Sequence, residues 1–265
     1  MEFFKKGSGM YGKKAAFSTL AILLLALEGC GGGGGGGSSA SAPPPASAEG
    51  AYFGTMSDGR QHYSLVLENG QIYTLYGNTG SNNVFAVSGF LQGNGSSNNG
   101  SFSATDVKDA SASGSVTAGS LSANYVAGSS FNGSLTEGTS VVSFTGAPIG
   151  GAIYNYNTPA NLAGVTGNWS LSSLRGFPTT LNIAAAGTFS GISSGCLFSG
   201  TIKPRSSGKN ILDVSLTYGA SPCILAGASL NGIAISYALP NGQQELAIAL
   251  IDQTRTGTSA FVGVR

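Results

Sequence analysis

Charge is what this sequence has least of. Only 23 of its 265 residues are Asp, Glu, Lys or Arg, and the net charge is +1. Globular chains usually carry about a quarter charged residues. No basic block occurs beyond the N-terminus, so no nucleic acid partner is expected. The chain has one His, one Trp and three Cys. A single His and nine acids after Cys30 leave general acid–base chemistry and metal ligation short of candidates. No catalytic residue, metal or cofactor is expected. Long apolar runs are missing as well. The most apolar stretch, Ala15–Leu27, has 13 residues, against the roughly 20 that a helix needs to cross a bilayer.

Glycine is abundant instead, at 43 residues. Each interior Gly weakens a helix by roughly 1 kcal/mol against Ala. Between the glycines stand Ser, Thr, Asn, Val, Ile, Phe and Tyr, which suit short strands and tight turns. Turn signals recur every 8 to 12 residues after position 50, the spacing of an all-β sandwich or barrel. Eight strands are predicted between Ala51 and Gly146, and eight more between Asn168 and Val264. Val84–Gln92, Gly100–Thr105 and Leu197–Lys203 are among them. Asn69-Gly70 and Pro240-Asn241-Gly242 mark hairpins. Gly50-Ala51-Tyr52 and Gly167-Asn168-Trp169 open the two halves alike. The fold class is therefore all-β: two small antiparallel meander or barrel-like domains of about eight short strands each, in tandem after a disordered tether.

The domain reading follows. Residues 1–29 are a signal peptide, with Lys5, Lys6, Lys13 and Lys14 ahead of the apolar run. Residues 30–49 are a tether of Gly, Ser and Pro, with a reach of about 25 Å. Residues 50–148 and 167–265 are the β-domains, joined by a linker over 149–166. Within the linker, Thr158 is the expected N-cap of one helical turn, Pro159 its first residue and Gly164 its stop.

Leu27-Glu28-Gly29-Cys30 resembles the lipobox of bacterial lipoproteins, with Glu28 where that family usually has a small or apolar residue. The resemblance implies cleavage before Cys30 and lipidation of its thiol and amine, hence membrane attachment. An anchor Cys followed by polyglycine is similar to Gram-negative surface lipoproteins of the transferrin-binding and factor-H-binding kinds. Gly31 rather than Asp after the Cys then implies the outer membrane, with its face undetermined. The body also resembles, loosely, lipoproteins of proteobacteria, and that likeness brings no activity with it. A short helix, then Gly-x-Trp, then a long meander resembles the lipocalin and calycin barrels. In those, a Trp plugs the floor and a basic residue near the chain end packs across it. Trp169 matches the Trp, and Arg265 stands where the cation would be.

With Cys30 set aside, Cys196 and Cys223 remain. An even pair in an exported chain is read as a disulfide. Metal binding is the poorer alternative, because no acid adjoins either Cys and His62 is far away in sequence. If 197–203 and 211–218 form a hairpin with its tip at 205–209, the two Cys meet at its base.

The remaining motifs are weak. Gly191-Ile192-Ser193-Ser194-Gly195 matches the hydrolase elbow pattern, yet strands flank it where a strand-to-helix turn is needed. Ser206-Ser207-Gly208-Lys209 reads as a hairpin tip. His62 is expected at a strand edge. Asp106 and Asp109 are expected on a loop, as turn caps. Tyr63, Leu65 and Leu67 alternate with Ser64, Val66 and Glu68, which predicts one covered and one wetter face. Tyr52, Phe53, Tyr63, Tyr73, Tyr76, Phe85 and Phe90 are expected to fill a small barrel, or else to form a surface for an apolar or glycan ligand. The reading that results is a non-catalytic binding module for a protein, glycan or lipid. The alternative is a structural envelope protein without a specific ligand.

Overall fold

The structure, a computed structural model, describes residues 46–80 and 83–265. The expected signal peptide, Cys30 and most of the tether lie outside the described residues. Sixteen antiparallel strands form two closed barrels, each wound up and down in chain order. The first contains β1 (Gly50–Met56), β2 (Gln61–Val66), β3 (Gln71–Thr79) and β4 (Phe85–Asn98). It continues with β5 (Ser101–Ser111), β6 (Val116–Val126), β7 (Ser130–Glu137) and β8 (Ser140–Pro148), and β8 closes on β1. The second contains β9 (Gly167–Ser173), β10 (Pro178–Ile183), β11 (Thr188–Ser193) and β12 (Cys196–Pro204). Then come β13 (Leu212–Tyr218), β14 (Ser229–Ala238), β15 (Gln244–Asp252) and β16 (Thr258–Val264), which closes on β9.

The strand glycines let aromatic rings lie across neighbouring strands inside the barrels. On β11 and β12, Phe189 faces Gly200 and Gly191 faces Phe198. A Cβ on Gly200 would stand 2.5 Å from the Phe189 ring. In the first barrel, Tyr76 covers Gly89 in the same way. The glycine-rich composition thus serves ring packing as well as turns.

Two of the longer strands depart from expectation. β4 runs on through the turn-like Gly93-Asn94-Gly95, and β5 runs through the charged 106–109 segment. Register shifts at Gln92/Gly95 and Ala104/Val107 absorb the irregularity. Asp106 and Asp109 are therefore on a strand, not a loop. Bulges re-aim side chains without ending the ladder. Here one turns Asp106 toward Arg255, whose Nη1 donates to its Oδ2 at 2.6 Å. The linker helix is also shorter than expected, a single 3-10 turn at Leu162–Gly164 capped by Asn161. Thr158 does not cap it, because its hydroxyl donates back to Asn155 O. Asn161 Oδ1 accepts from Ala163 N instead.

The larger correction concerns the aromatics. Tyr52 and Tyr76 do lie inside the first barrel, with Phe102, Phe131 and Phe144. Tyr63, Tyr73, Phe85 and Phe90 point outward and pack against the second barrel's outer face. That face is built small, from Ala247, Ala249 and Ala260 beside Ile233, Ile235 and Tyr237. The Tyr63–Leu65–Leu67 face of β2 is thus covered by the partner barrel rather than by its own interior. Its Ser64 and Val66 face, expected to be wetter, is buried inside. Charged residues close the seam: Arg205 pairs with Glu68, Lys209 with Glu49, and Arg255 with Asp106.

Candidate functional site

One end of the second barrel is formed by the β9–β10 turn, the β11–β12 hairpin tip, the β13–β14 connection and the β15–β16 turn. Together they line a cavity of about 140 Å3. The β13–β14 connection is fastened across this mouth by a disulfide. Cys196 opens β12 and Cys223 lies in the connection, with Cα atoms 4.5 Å apart and sulfurs 2.05 Å apart. The β12–β13 ladder pairs Phe198 with Tyr218, so the hairpin base brings Cys196 beside the 219–223 turn. Gly219 N donates to Leu197 O at 2.8 Å and holds the connection against β12.

Around this mouth the surface turns apolar. Ile224 is 64% exposed and Phe177 42%. Ile192 and Leu197, also exposed, face each other across the β11–β12 ladder. Seven large apolar side chains are exposed among the described residues; Phe177 and Ile224 line this cavity, whereas Ile192 and Leu197 line a neighbouring groove with Thr180 and Ser199. Arg175, in the β9–β10 turn, is the one charged residue lining the cavity. On its inner wall Tyr218 Oη and Ser259 Oγ are 2.7 Å apart. Burial raises the Tyr218 pKa, while the Ser259 bond and the Arg175 charge work against that rise.

The opposite end is the floor. Trp169 is buried, and its Nε1 donates to Val165 O at 2.7 Å. The Arg265 guanidinium carbon lies 4.5 Å from the Trp169 ring centroid. Arg265 Nη2 donates to Gly164 O at 2.8 Å, and Nη1 donates to Thr166 O. Arg265 therefore clamps the ring of Trp169, the chain's one Trp. The β12–β13 hairpin tip lies at this same end, where Lys209 Nζ meets Glu49 Oε1 at 2.6 Å. The start of β1 thus sits beside the floor of the second barrel, away from the disulfide.

The other residues singled out in the sequence do not converge on this mouth as a reacting group. Ser193 reaches it, but its Oγ accepts from Thr179 Oγ1 at 2.8 Å and no His is near. Ser206, Ser207 and Gly208 form the expected hairpin tip, and Lys209 is engaged with Glu49 and the Tyr156 ring. His62 corrects the strand-edge expectation, being 1% exposed inside the first barrel. Its Nε2 lies 3.0 Å from Thr145 O and its Nδ1 2.9 Å from Ser64 Oγ, which is 2.9 Å from Thr74 Oγ1. With a neutral ring, Thr74 donates to Ser64, Ser64 to Nδ1, and Nε2–H to the carbonyl, and every group of the row is satisfied. Burial also lowers the pKa of the ring. A polar side chain on an inward position of an eight-stranded barrel needs such partners, and Ser64 and Thr74 supply them.

Burial raises the pKa of three carboxyls, Glu245, Asp109 and Glu137. Glu245, buried at the seam between barrels, accepts from Tyr237 Oη at 2.8 Å, and burial pushes its pKa up to about 7. In the first barrel Asp109 accepts from Tyr76 Oη at 2.6 Å. Burial and the neighbouring Asp109 raise Glu137 to about 7. Among the described residues no group of three or more His, Cys, Asp or Glu is placed to hold a metal ion.

No family model matches the chain, and no curated protein matches it. Among solved structures it is similar to the isotype 1 transferrin binding protein B from serogroup B Neisseria meningitidis. The identity is 8% and the TM-score 0.23, over 78% of this chain and 66% of that one. The chain thus spans just under two thirds of that protein's length.

Proposed function

We propose that this chain is an outer-membrane lipoprotein, anchored through Cys30, that acts as a non-catalytic binding module. Its binding end is the disulfide-fastened mouth of the second barrel. The observation that carries this reading is the exposure of Phe177 and Ile224 on the lining of that mouth, with exposed Ile192 and Leu197 next in the chain to its Ser193 and Cys196. Contiguous exposed apolar surface on a soluble face marks interaction sites more often than chance. The position of Glu49 supports it further. This residue meets Lys209 at the floor end of the second barrel, so the chain enters β1 at the end opposite the apolar mouth.

Two measurements test the proposal. Radiolabelled palmitate enters the wild-type protein and not Cys30→Ala; equal labelling refutes the anchor. Photo-crosslinkers placed at Ile224 and at Val141, on the first barrel, then separate binding from scaffolding in intact cells. A discrete stoichiometric adduct from position 224 alone supports a binding module. Adducts only to peptidoglycan and other outer-membrane proteins, from both positions alike, identify a structural envelope protein instead.

A further inference from the structure

The cavity at the mouth has a definite chemistry. Leu174, Phe177, Ile224, Leu225 and Phe261 give it apolar walls. Below it the barrel is filled, with Phe198 and Phe261 stacked at 5.3 Å, so an occupant stays under the disulfide-fastened connection. Its volume of about 140 Å3 suits one compact group. An apolar protein cavity of about 150 Å3 holds a benzene-sized molecule.

Its charge has one sign, set among the hydroxyls of Ser173, Ser193, Ser194, Thr256 and Thr258. Arg175 lines the cavity and no carboxylate does. None of the five ion pairs among the described residues involves Arg175. Its guanidinium rests against Gly114 of the first barrel, where a Cβ would fall 2.0 Å from Nη2. The missing side chain at Gly114 is what lets that cation sit at the cavity. Tyr218 and Ser259 spend one hydroxyl hydrogen on each other, which leaves one to donate. A guanidinium at the rim and a hydroxyl donor on the inner wall favour a carboxylate over a neutral or cationic head.

We propose that this cavity binds a small organic anion, a carboxylate carried on a compact apolar body of about six carbons. The carboxylate meets Arg175 at the rim, and the apolar body lies between Phe177, Ile224 and Phe261. The inference rests on the reading of the second barrel as a binding module and names the ligand class of that site.

Benzoate, benzyl alcohol and benzylamine are matched probes for it, titrated into the full-length Cys30→Ala protein by amide NMR and calorimetry. Benzoate shifts the amides of residues 174–177 and 223–225 and binds at least tenfold tighter than benzyl alcohol. Benzylamine binds more weakly than either. Arg175→Met lowers benzoate affinity to the benzyl alcohol level and leaves benzyl alcohol unchanged. Arg175→Lys, which keeps the charge, retains part of the preference and shows that the loss is electrostatic. Four results overturn the proposal: no binding by any probe, benzylamine equal to benzoate, shifts outside the mouth, or benzoate affinity unaffected by Arg175→Met. A stoichiometric crosslink from Ile224 in cells together with failed benzoate binding would leave the binding module standing and remove only the small-anion class.

Discussion

The ring of Phe198 lies over Gly191 of the neighbouring strand, so near that a Cβ on Gly191 would stand 2.3 Å from the ring. The contact occurs inside the second barrel, where Phe198 also stacks on Phe261. A side chain at 191 must expel the ring, and overpacking of this kind costs about 1–3 kcal/mol. Gly191→Val is expected to lower Tm by several degrees. Gly151→Ala, where nothing lies within 4 Å of the new Cβ, leaves Tm unchanged. Equal melting of Gly191→Val and wild type would show that the barrel is loosely packed there.

His62 is the chain's only histidine, so its ring resonances need no assignment. Burial lowers its pKa, and the Nε2–H tautomer fits its hydrogen bonds. The unfolded chain takes up this proton near pH 6.5 while the folded chain does not. Its contribution is therefore complete above that pH and is lost as pH falls toward the folded value. The imidazole is expected to titrate below 6.5 by NMR. A midpoint at or above 6.5 would contradict the buried neutral ring.

Glu245 acts in the opposite sense. Its folded pKa is raised to about 7, so the folded chain holds a proton that the unfolded chain releases near 4.5. Stability from this group is present below 4.5 and is lost as pH rises to about 7. Glu245→Gln is expected to flatten the fall of the urea midpoint across that window. An unchanged slope would mean that the seam between the barrels admits water at Glu245.

The disulfide closes a separation of 27 residues. Loop-closure entropy for such a length corresponds to about 3–4 kcal/mol. Reduction of the full-length Cys30→Ala protein should lower Tm and speed hydrogen exchange in 219–228, while protection in β1–β8 persists. Free alkylation of both thiols without reductant would exclude the bridge.

Arg265 and Trp169 offer a fifth measurement, because the only Trp reports on the floor alone. Arg265→Met removes the stacked cation and two hydrogen bonds to carbonyls, a loss of about 1–2 kcal/mol. Tm should fall and Trp emission should move to longer wavelength. No change in either would mean that the terminal guanidinium contributes nothing to closing the floor.

The sixteen strands were legible because turn residues punctuate them so regularly. Alternation tells which residues share a face, but not which face is inside. On β2 the apolar side, Tyr63, Leu65 and Leu67, faces the other barrel, and His62 and Ser64 face in. A sequence carries that polarity only where one side is wet, and here both are covered. The bulges at Gln92 and Ala104 were hidden for a related reason. Gly93-Asn94-Gly95 and Asp106 look like turns locally, and only ladders on both sides keep them extended. The mouth was half visible. The disulfide and its hairpin base follow from spacing, whereas Arg175 against Gly114 joins turns of two different barrels and leaves no local signal.

Because each sheet closes on itself, through β1 with β8 and β9 with β16, neither barrel offers a strand with unpaired amides to a neighbour. An open sheet edge is a template for joining another chain, and proteins usually blunt it with charge or proline. This chain has little of either to spare. It can be crowded at high concentration without its sheets zipping into fibrils.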